Sequence, residues 1–169
     1  MQQLCLTGRD AASLADRLFH ALNVQPVGLR FEPFSVSGAV RGHAAYLMPP
    51  PSLNAVPCRI LLAEGRSVTV PAALEEIAAP GLLAALRIQA PMLISGLSAD
   101  LLACGALQDA VRQCITAPRP VVITADDSAR TLLEGLVPPE TQLWFDVPED
   151  AAGQASLLTA LIPEASLRF

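Results

Sequence analysis

Apolar residues follow two patterns along the chain: short runs that suit buried strands, and longer segments in which leucine and alanine recur at helical spacing. The short runs predict strands over 3–7, 27–34, 40–48, 58–63, 68–70, 91–95, 120–124 and 142–146. The helical spacing predicts helices over 11–22, 72–87 with an interruption at Pro80-Gly81, from Ser98 or Asp100 to about 115, 129–136 and 150–161. Strands and helices therefore alternate over most of the sequence.

The order of these elements predicts the fold class. Short strands without polar alternation, separated by helices, are typical of a parallel sheet with helices on both faces. The segments 27–34 and 40–48, joined by a turn at 35–38, instead predict an antiparallel β-hairpin after the first helix. We expect an α/β fold, a three-layer αβα sandwich around a mostly parallel sheet, in one domain over 1–169. The triple proline at 49–51 predicts a loop.

Aspartate side chains precede three of the predicted helices. Asp10 is placed to cap the first helix, and the segment Asp126-Asp127-Ser128 is placed to cap the helix over 129–136. Asp150 stands before the last helix. A carboxylate at such a position accepts a hydrogen bond from a free backbone N–H of the first turn, so we expect all three to act as caps.

Composition narrows the class of protein. Hydrophobic residues make up 52% of the chain and charged residues 16%, which argues against disorder. No apolar run reaches the length of a membrane span, and no signal peptide is visible, so we expect a cytoplasmic protein without a membrane partner. The net charge is -5, the eleven basic residues are scattered, and aromatic residues make up 4%, which excludes a nucleic-acid partner.

Two further features of the composition argue against lysine-based catalysis and against a metal site. All eleven basic residues are arginine, so no mechanism can use a lysine amine. The four cysteines show no C-x-x-C spacing and the two histidines, His20 and His43, are far apart in sequence. We therefore expect no metal site, with the cysteines acting as small buried apolar residues and the histidines at ordinary positions.

The carboxyl ends of the predicted strands are the places where a ligand would bind, since open α/β sheets carry their sites there. The first strand leads through Gly8 into a helix, which is the setting of a phosphate-binding loop. Against the pattern G-x-x-x-x-G-K-[ST], the chain keeps Gly8, followed by Arg9 and Asp10. It has Ser13 for the second glycine, Leu14 for the lysine and Ala15 for the hydroxyl residue.

Beyond this loop, the chain resembles the small nucleoside-triphosphatase family of the P-loop class in the order and local pattern of its elements. That family has a hairpin written roughly Gly-Phe and then Arg-x-Gly-Phe, an acidic Walker B strand, a helix with an Ala-Val pair and a strand beginning Pro-Val. The corresponding segments here are Val27-Gly28-Leu29, Val40-Arg41-Gly42-His43, the strand from Met92 to Ser98, Gln108-Asp109-Ala110-Val111 and Arg119-Pro120-Val121-Val122-Ile123. The resemblance implies a P-loop NTPase-like fold, and in active members hydrolysis of a nucleoside triphosphate with magnesium.

The same resemblance shows which active-site residues are missing. Ser95 stands where the family has its magnesium-associated aspartate, and Gly96 stands where it has the glutamate that activates water. Together with the absent lysine and loop hydroxyl, these are four losses from the two motifs that build one site. We therefore expect a degenerate domain without hydrolytic activity and without a cofactor, acting as a binding or assembly module.

A second hypothesis stays open from the sequence. Arg9 could hold an anion, Ser13 could donate a hydrogen bond to one, and Asp126 with Asp127 could bind a cation or act as acid and base. In that case the chain would be an active nucleotide phosphatase or transferase using ATP or GTP with Mg²⁺ and relocated groups. Apolar residues at 24–26 and 48–53 could stay exposed, which favours a protein partner or a homo-oligomer.

Overall fold

The computed structural model describes residues 3–48, 55–62 and 65–168, and these ranges contain eight strands and six α-helices. The strands are β1 (Gln3–Thr7), β2 (Val27–Val36), β3 (Ala39–Met48), β4 (Val56–Leu61), β5 (Ser67–Thr69), β6 (Met92–Leu97), β7 (Val121–Ala125) and β8 (Gln142–Asp146). The helices are α1 (Ala11–Ala21), α2 (Ala79–Ala85), α3 (Ala99–Leu102), α4 (Gly105–Thr116), α5 (Asp127–Leu136) and α6 (Ala151–Ser166). All eight predicted strands are confirmed within a few residues, while the triple proline lies outside the described residues.

All eight strands belong to one sheet with the order β5-β4-β3-β2-β6-β7-β1-β8. Strands β2, β6, β7, β1 and β8 run parallel to one another, so the predicted parallel sheet is confirmed. The predicted hairpin is confirmed as β2 and β3, and its antiparallel pairing continues through β4 and β5. The carboxyl ends of β6, β7 and β1 therefore meet at the middle of one sheet edge.

Side chains alternate between the two faces of the parallel strands, and each face carries its own apolar core. On one face Leu4, Leu6 and Val122 pack against α1 and α6. On the other face Cys5, together with Ile123, packs against α2, α4 and α5. Helices therefore cover both faces of the sheet, as the sandwich prediction requires.

The helix before β6 differs from its prediction. We expected an interruption at Pro80-Gly81, but the helical backbone continues through both residues into α2. A π-helical segment, Ala73–Ala78, precedes the proline. The wider turn accommodates a residue that lacks an N–H and whose ring crowds the carbonyl of the preceding turn.

The predicted single helix after β6 is two helices. Helix α3 ends at Leu102, and α4 begins at Gly105 after Cys104, whose backbone is extended. The last helix, α6, runs five residues beyond its predicted end at 161, to Ser166. No helix within the described ranges is long and apolar enough to cross a membrane.

Candidate functional site

A cavity of about 370 Å³ lies at the carboxyl ends of β1, β6 and β7, and we call it the strand-end cavity. Three chain segments that follow these strands form it, together with two side chains from the β3–β4 ladder. Its lining residues are Gly8, Arg9, Ala11, Ala12, His43, Arg59, Gly96, Leu97, Ser98, Thr124, Ala125, Asp126 and Asp127. The structure thus brings together three of the predicted strand-end segments at the edge where parallel sheets bind ligands.

The connection from β1 to α1 is a tight turn. Only residues 8–10 separate Thr7 from Ala11, and the Ala11 N–H donates to the Gly8 carbonyl at 3.2 Å. Gly8 has a φ of 115°, and a Cβ there would lie 3.1 Å from the Val147 carbonyl oxygen. This short connection is much tighter than a phosphate loop with four residues between its glycines.

The helix that follows places the other loop positions away from the cavity. Leu14 and Ala15 are fully buried in the core between the sheet, α1 and α6. Ser13 is exposed on the first turn of α1 and does not line the cavity. Of the predicted loop residues, the cavity therefore keeps only Gly8 and Arg9.

Asp10 is not the side-chain cap that we predicted. It occupies the residue before α1, but its backbone is not extended and its carboxylate accepts no bond from the helix. Instead Asp10 Oδ2 accepts a hydrogen bond from Gln154 Nε2 at 2.9 Å, which ties the turn to α6. The prediction is wrong because a distant side chain competes for this carboxylate, and such a partner is invisible in the local sequence.

Ser95 and Gly96, which we aligned with the Walker B motif from the sequence, belong to a buried hydrogen-bond network. Ser95 is 1% exposed, and its hydroxyl lies 3.0 Å from the hydroxyl of Thr124 on β7. The Gly96 N–H donates to the same Thr124 oxygen at 2.8 Å. Gly96 has a φ of 80°, and a Cβ there would lie 2.3 Å from the Phe31 carbonyl oxygen, so a side chain does not fit.

Asp126 and Asp127, which follow β7, line the cavity, and Asp126 also caps α5. Asp126 Oδ1 accepts from the Ala129 N–H at 2.8 Å, which confirms the predicted cap of α5. Thr7 donates to Asp127 Oδ1 at 3.0 Å and so joins the ends of β1 and α5. Asp150 is likewise confirmed as a cap, with Oδ1 accepting from the Gly153 N–H at 2.7 Å.

His43 and Arg59 are cavity residues that our reasoning from the sequence missed. They are direct partners across the β3–β4 ladder, next to a β-bulge between His43 and Ala44. The Arg59 guanidinium pairs with Asp100 at 2.6 Å and donates to Ser67. Burial, and secondarily the nearby Arg59 charge, lower the pKa of His43 below its ordinary value of 6.5. One feature of the sequence could have pointed to His43: it stands where the small nucleoside-triphosphatase family, which the chain resembles, has phenylalanine.

The described residues contain no group of three or more histidine, cysteine, aspartate and glutamate side chains that could hold a metal ion. Three cysteines are buried, and Cys104 is partly exposed. Burial is the largest influence on the buried thiols and raises the pKa of Cys5 to about 12, of Cys58 to about 11 and of Cys114 to about 12. These thiols stay protonated near neutral pH, which makes them poor nucleophiles.

A larger cavity of about 750 Å³ lies elsewhere, between α1 and the β2–β3 hairpin. Val24, Pro26 and Met48 line it, so part of the apolar surface that we expected to be exposed is found there, while residues 49–53 lie outside the described ranges. The guanidinium of Arg30 pairs with both Asp16 and Glu32 at this cavity. We consider the strand-end cavity the better candidate site, because it lies at the carboxyl ends of the parallel strands, where open α/β sheets bind their ligands.

Comparison with known proteins supports the fold. No protein-family model matches the sequence, and no curated protein matches it. The chain is similar in structure to the crystal structure of THEP1 from the hyperthermophile Aquifex aeolicus, with a TM-score of 0.71 and 15% identity. The match covers 97% of this chain and 98% of that chain. At this identity the likeness shows the fold alone, and the chain therefore has the P-loop NTPase-like α/β fold that the sequence predicted.

Proposed function

We propose that the chain is a single P-loop NTPase-like domain that does not hydrolyse nucleotides and acts as a binding or assembly module. The observation that carries the proposal is the closed turn between β1 and α1. A phosphate loop holds its ligand with a ring of backbone N–H groups. Here the Ala11 N–H is bonded to Gly8 within the turn, and only three residues span the gap.

The charges at this turn support the same proposal. Leu14, at the position of the phosphate-binding lysine, is fully buried, and the chain has no lysine to replace it. The cation of the turn, Arg9, shares the cavity with the carboxylates of Asp126 and Asp127, and the second lining cation, Arg59, is paired with Asp100. A triphosphate with its three or four negative charges would meet those carboxylates without a surplus of positive charge.

The metal side of an NTPase site is also changed. Ala15 is buried at the position of the loop hydroxyl, and Ser95 is bonded to Thr124 at the position of the metal-associated aspartate. Gly96, at the position of the water-activating glutamate, has no room for a side chain. A cavity of about 370 Å³ nevertheless remains at the strand ends, which is why we propose binding as the retained activity.

A second candidate function has one observation in its favour. Arg9, Asp126 and Asp127 line the same cavity, which is the group that a phosphatase with relocated residues would need. In that reaction the arginine would stabilise charge on a phosphoryl group while a carboxylate oriented water. We rank this candidate second because both carboxylates already accept hydrogen bonds within the protein, Asp126 from the Ala129 N–H and Asp127 from the Thr7 hydroxyl.

Calorimetric titration with ATP and GTP, with and without Mg²⁺, tests the first proposal together with an assay of released phosphate. We expect neither magnesium-dependent binding nor phosphate release from the purified full chain. Magnesium-dependent binding with turnover would overturn the proposal. The second candidate would be established if the chain released phosphate, Arg9→Ala abolished this release and Arg87→Ala preserved it. Arg87→Ala is the control, because Arg87 is an exposed arginine outside the cavity.

A further inference from the structure

Buried polar atoms without a hydrogen-bond partner are concentrated at the strand-end cavity. In the part of the chain that the structure describes there are five, and three belong to cavity-lining residues: His43 Nδ1, Arg59 Nε and Ser98 Oγ. These residues come from β3, β4 and the segment after β6. Unpaired buried polar groups are costly, and three from separate elements around one cavity indicate a binding site rather than a packing defect.

The sheet order separates two of these three residues, His43 and Arg59, from the acidic side of the cavity. Strands β2 and β6 lie between the β3–β4 ladder, which carries His43 and Arg59, and β7, which leads to Asp126 and Asp127. Arg9 follows β1, the neighbour of β7, and so lies on the acidic side. The cavity therefore has one end at the hairpin, where the Arg59 guanidinium is paired with Asp100, and one end of mixed charge at β7 and β1, with Ser98 after β6 between them.

We propose that this hairpin end, formed by His43, Arg59 and Ser98, binds the oxyanion of a compact ligand, a single phosphate or carboxylate group. The inference rests on the proposed binding function of the same cavity and names the class of ligand. A guanidinium binds an oxyanion through paired N–H donors, and the serine hydroxyl supplies a further donor. When the side chains turn towards the ligand, the oxyanion satisfies polar atoms that now lack partners.

The charge count explains why the ligand is compact. Arg9 and Arg59 line the cavity with Asp126 and Asp127, and Asp100 pairs with Arg59 at 2.6 Å, so these five groups carry a formal charge of -1 when His43 is neutral. One oxyanion at the hairpin end stays away from Asp126 and Asp127 and meets a single carboxylate, that of Asp100, which already pairs with Arg59. A chain of phosphates would extend along the sheet edge towards them, and like-charge repulsion would disfavour it.

Nuclear magnetic resonance of the full chain tests the proposal, with inorganic phosphate and acetate as probes and chloride at equal ionic strength as the reference. We expect saturable shifts of the His43 ring, the Arg59 Nε–H and the Ser98 amide, and the probe that binds more tightly identifies the kind of oxyanion. Shifts centred on residues 8–12 would overturn the hairpin assignment. No saturable shift with either probe would overturn the proposal as a whole.

Two variants with matched controls sharpen the test. Ser98→Ala removes a hydroxyl that has no partner among the described residues, so the fold should be unaffected while binding weakens about threefold. Arg59→Gln should weaken binding about tenfold or more. The controls Ser13→Ala and Arg87→Gln change exposed residues outside the cavity and should bind like the parent.

Arg59→Gln could lose stability because it also breaks the pair with Asp100, so the Ser98→Ala variant decides the assignment. If folded Ser98→Ala bound the probes as tightly as the parent, the assignment would be overturned. The test of the hairpin site can also fail or succeed independently of the proposed non-hydrolytic function. Hydrolysis of Mg-ATP would refute the non-hydrolytic function, while the phosphate and acetate titrations would still decide the hairpin site.

Discussion

The hydroxyl oxygens of Ser95 and Thr124 lie 3.0 Å apart, and each side chain is 1% exposed. Thr124 also accepts the Gly96 N–H at 2.8 Å, so the contact joins the ends of β6 and β7. Ser95, which the resemblance aligned with a metal-associated aspartate, is thus bonded within the core. A position in this environment favours a neutral hydroxyl over a carboxylate.

Restoring the acidic residue should therefore damage the fold. We expect Ser95→Asp to lower the free energy of unfolding by about 3 kcal/mol or more, because a buried carboxylate would lack a cationic partner. Ser95→Ala should cost about 1 kcal/mol, since Thr124 keeps its bond to Gly96. Urea unfolding with and without millimolar Mg²⁺ measures both effects. If Mg²⁺ restored the stability of Ser95→Asp, the position would still be a metal site.

Arg119 should be important for stability although it lies far from the candidate site. Its guanidinium donates to the carbonyls of Leu86 at 2.9 Å, Ala85 at 3.3 Å and Ala90 at 2.5 Å, and also to that of Ile88. It thereby satisfies the carbonyls at the end of α2 and in the turn that follows.

We expect Arg119→Met to lower the free energy of unfolding by about 2–4 kcal/mol, because several hydrogen bonds to a charged group are lost while the apolar stem is kept. Arg87→Met, at an exposed arginine near the end of the same helix, should stay within about 0.5 kcal/mol of the parent. Urea denaturation compares the two variants. Equal midpoints would show that the Arg119 contacts contribute nothing net.

Thiol labelling should distinguish Cys104 from the other cysteines. Cys5, Cys58 and Cys114 are buried with raised pKa values, whereas Cys104 is partly exposed. At a pH of about 8 we expect a thiol reagent to label one cysteine quickly in the native protein and all four in denaturant.

The Cys104→Ser variant should lose the fast phase of labelling. A fast phase that survived in Cys104→Ser would mean that one of the three buried thiols opens to solvent. Because the unfolded thiols ionise at lower pH than the buried ones, alkaline pH above about 9 should also destabilise the fold.

His43 should make stability depend on pH in the mildly acidic range. Its pKa is lowered in the folded state, so the unfolded chain binds a proton first as the pH falls through about 6.5. Above this pH, protonation of His43 does not change the free energy of unfolding. Below it, protonation of the unfolded chain lowers that free energy. We expect His43→Gln to lose less stability than the parent between pH values of about 7.5 and 5.5.

Chemical denaturation at several pH values measures this difference, with His20→Gln, a variant of an exposed histidine, as the matched control. An identical slope of stability against pH in His43→Gln and the parent would contradict the prediction. Binding of an oxyanion near His43 should oppose the effect, because an adjacent negative charge favours the protonated ring.

Local sequence pattern determined much of the fold. Short apolar runs predicted the parallel strands such as 3–7 and 120–124, because burial of such a run needs no information about its neighbours in space, while alternation and a turn predicted the hairpin over 27–48. Asp126 and Asp150 were identifiable as caps for the same reason, since each bonds an N–H three residues away. The absence of lysine is also readable from the sequence, because it depends on residue types alone.

Tertiary structure alone decided how the strands are ordered and what the site contains. Asp10 bonds Gln154 on a helix 144 positions away, and the helix through Pro80 persists because its backbone widens before the proline. His43 and Arg59 reach the strand-end cavity because β3 and β4 pair beyond β2, and no local pattern encodes that pairing. The sequence shows which polar side chains the chain carries. Which distant partner each buried polar atom bonds is determined only by the assembled sheet, because several partners compete for it.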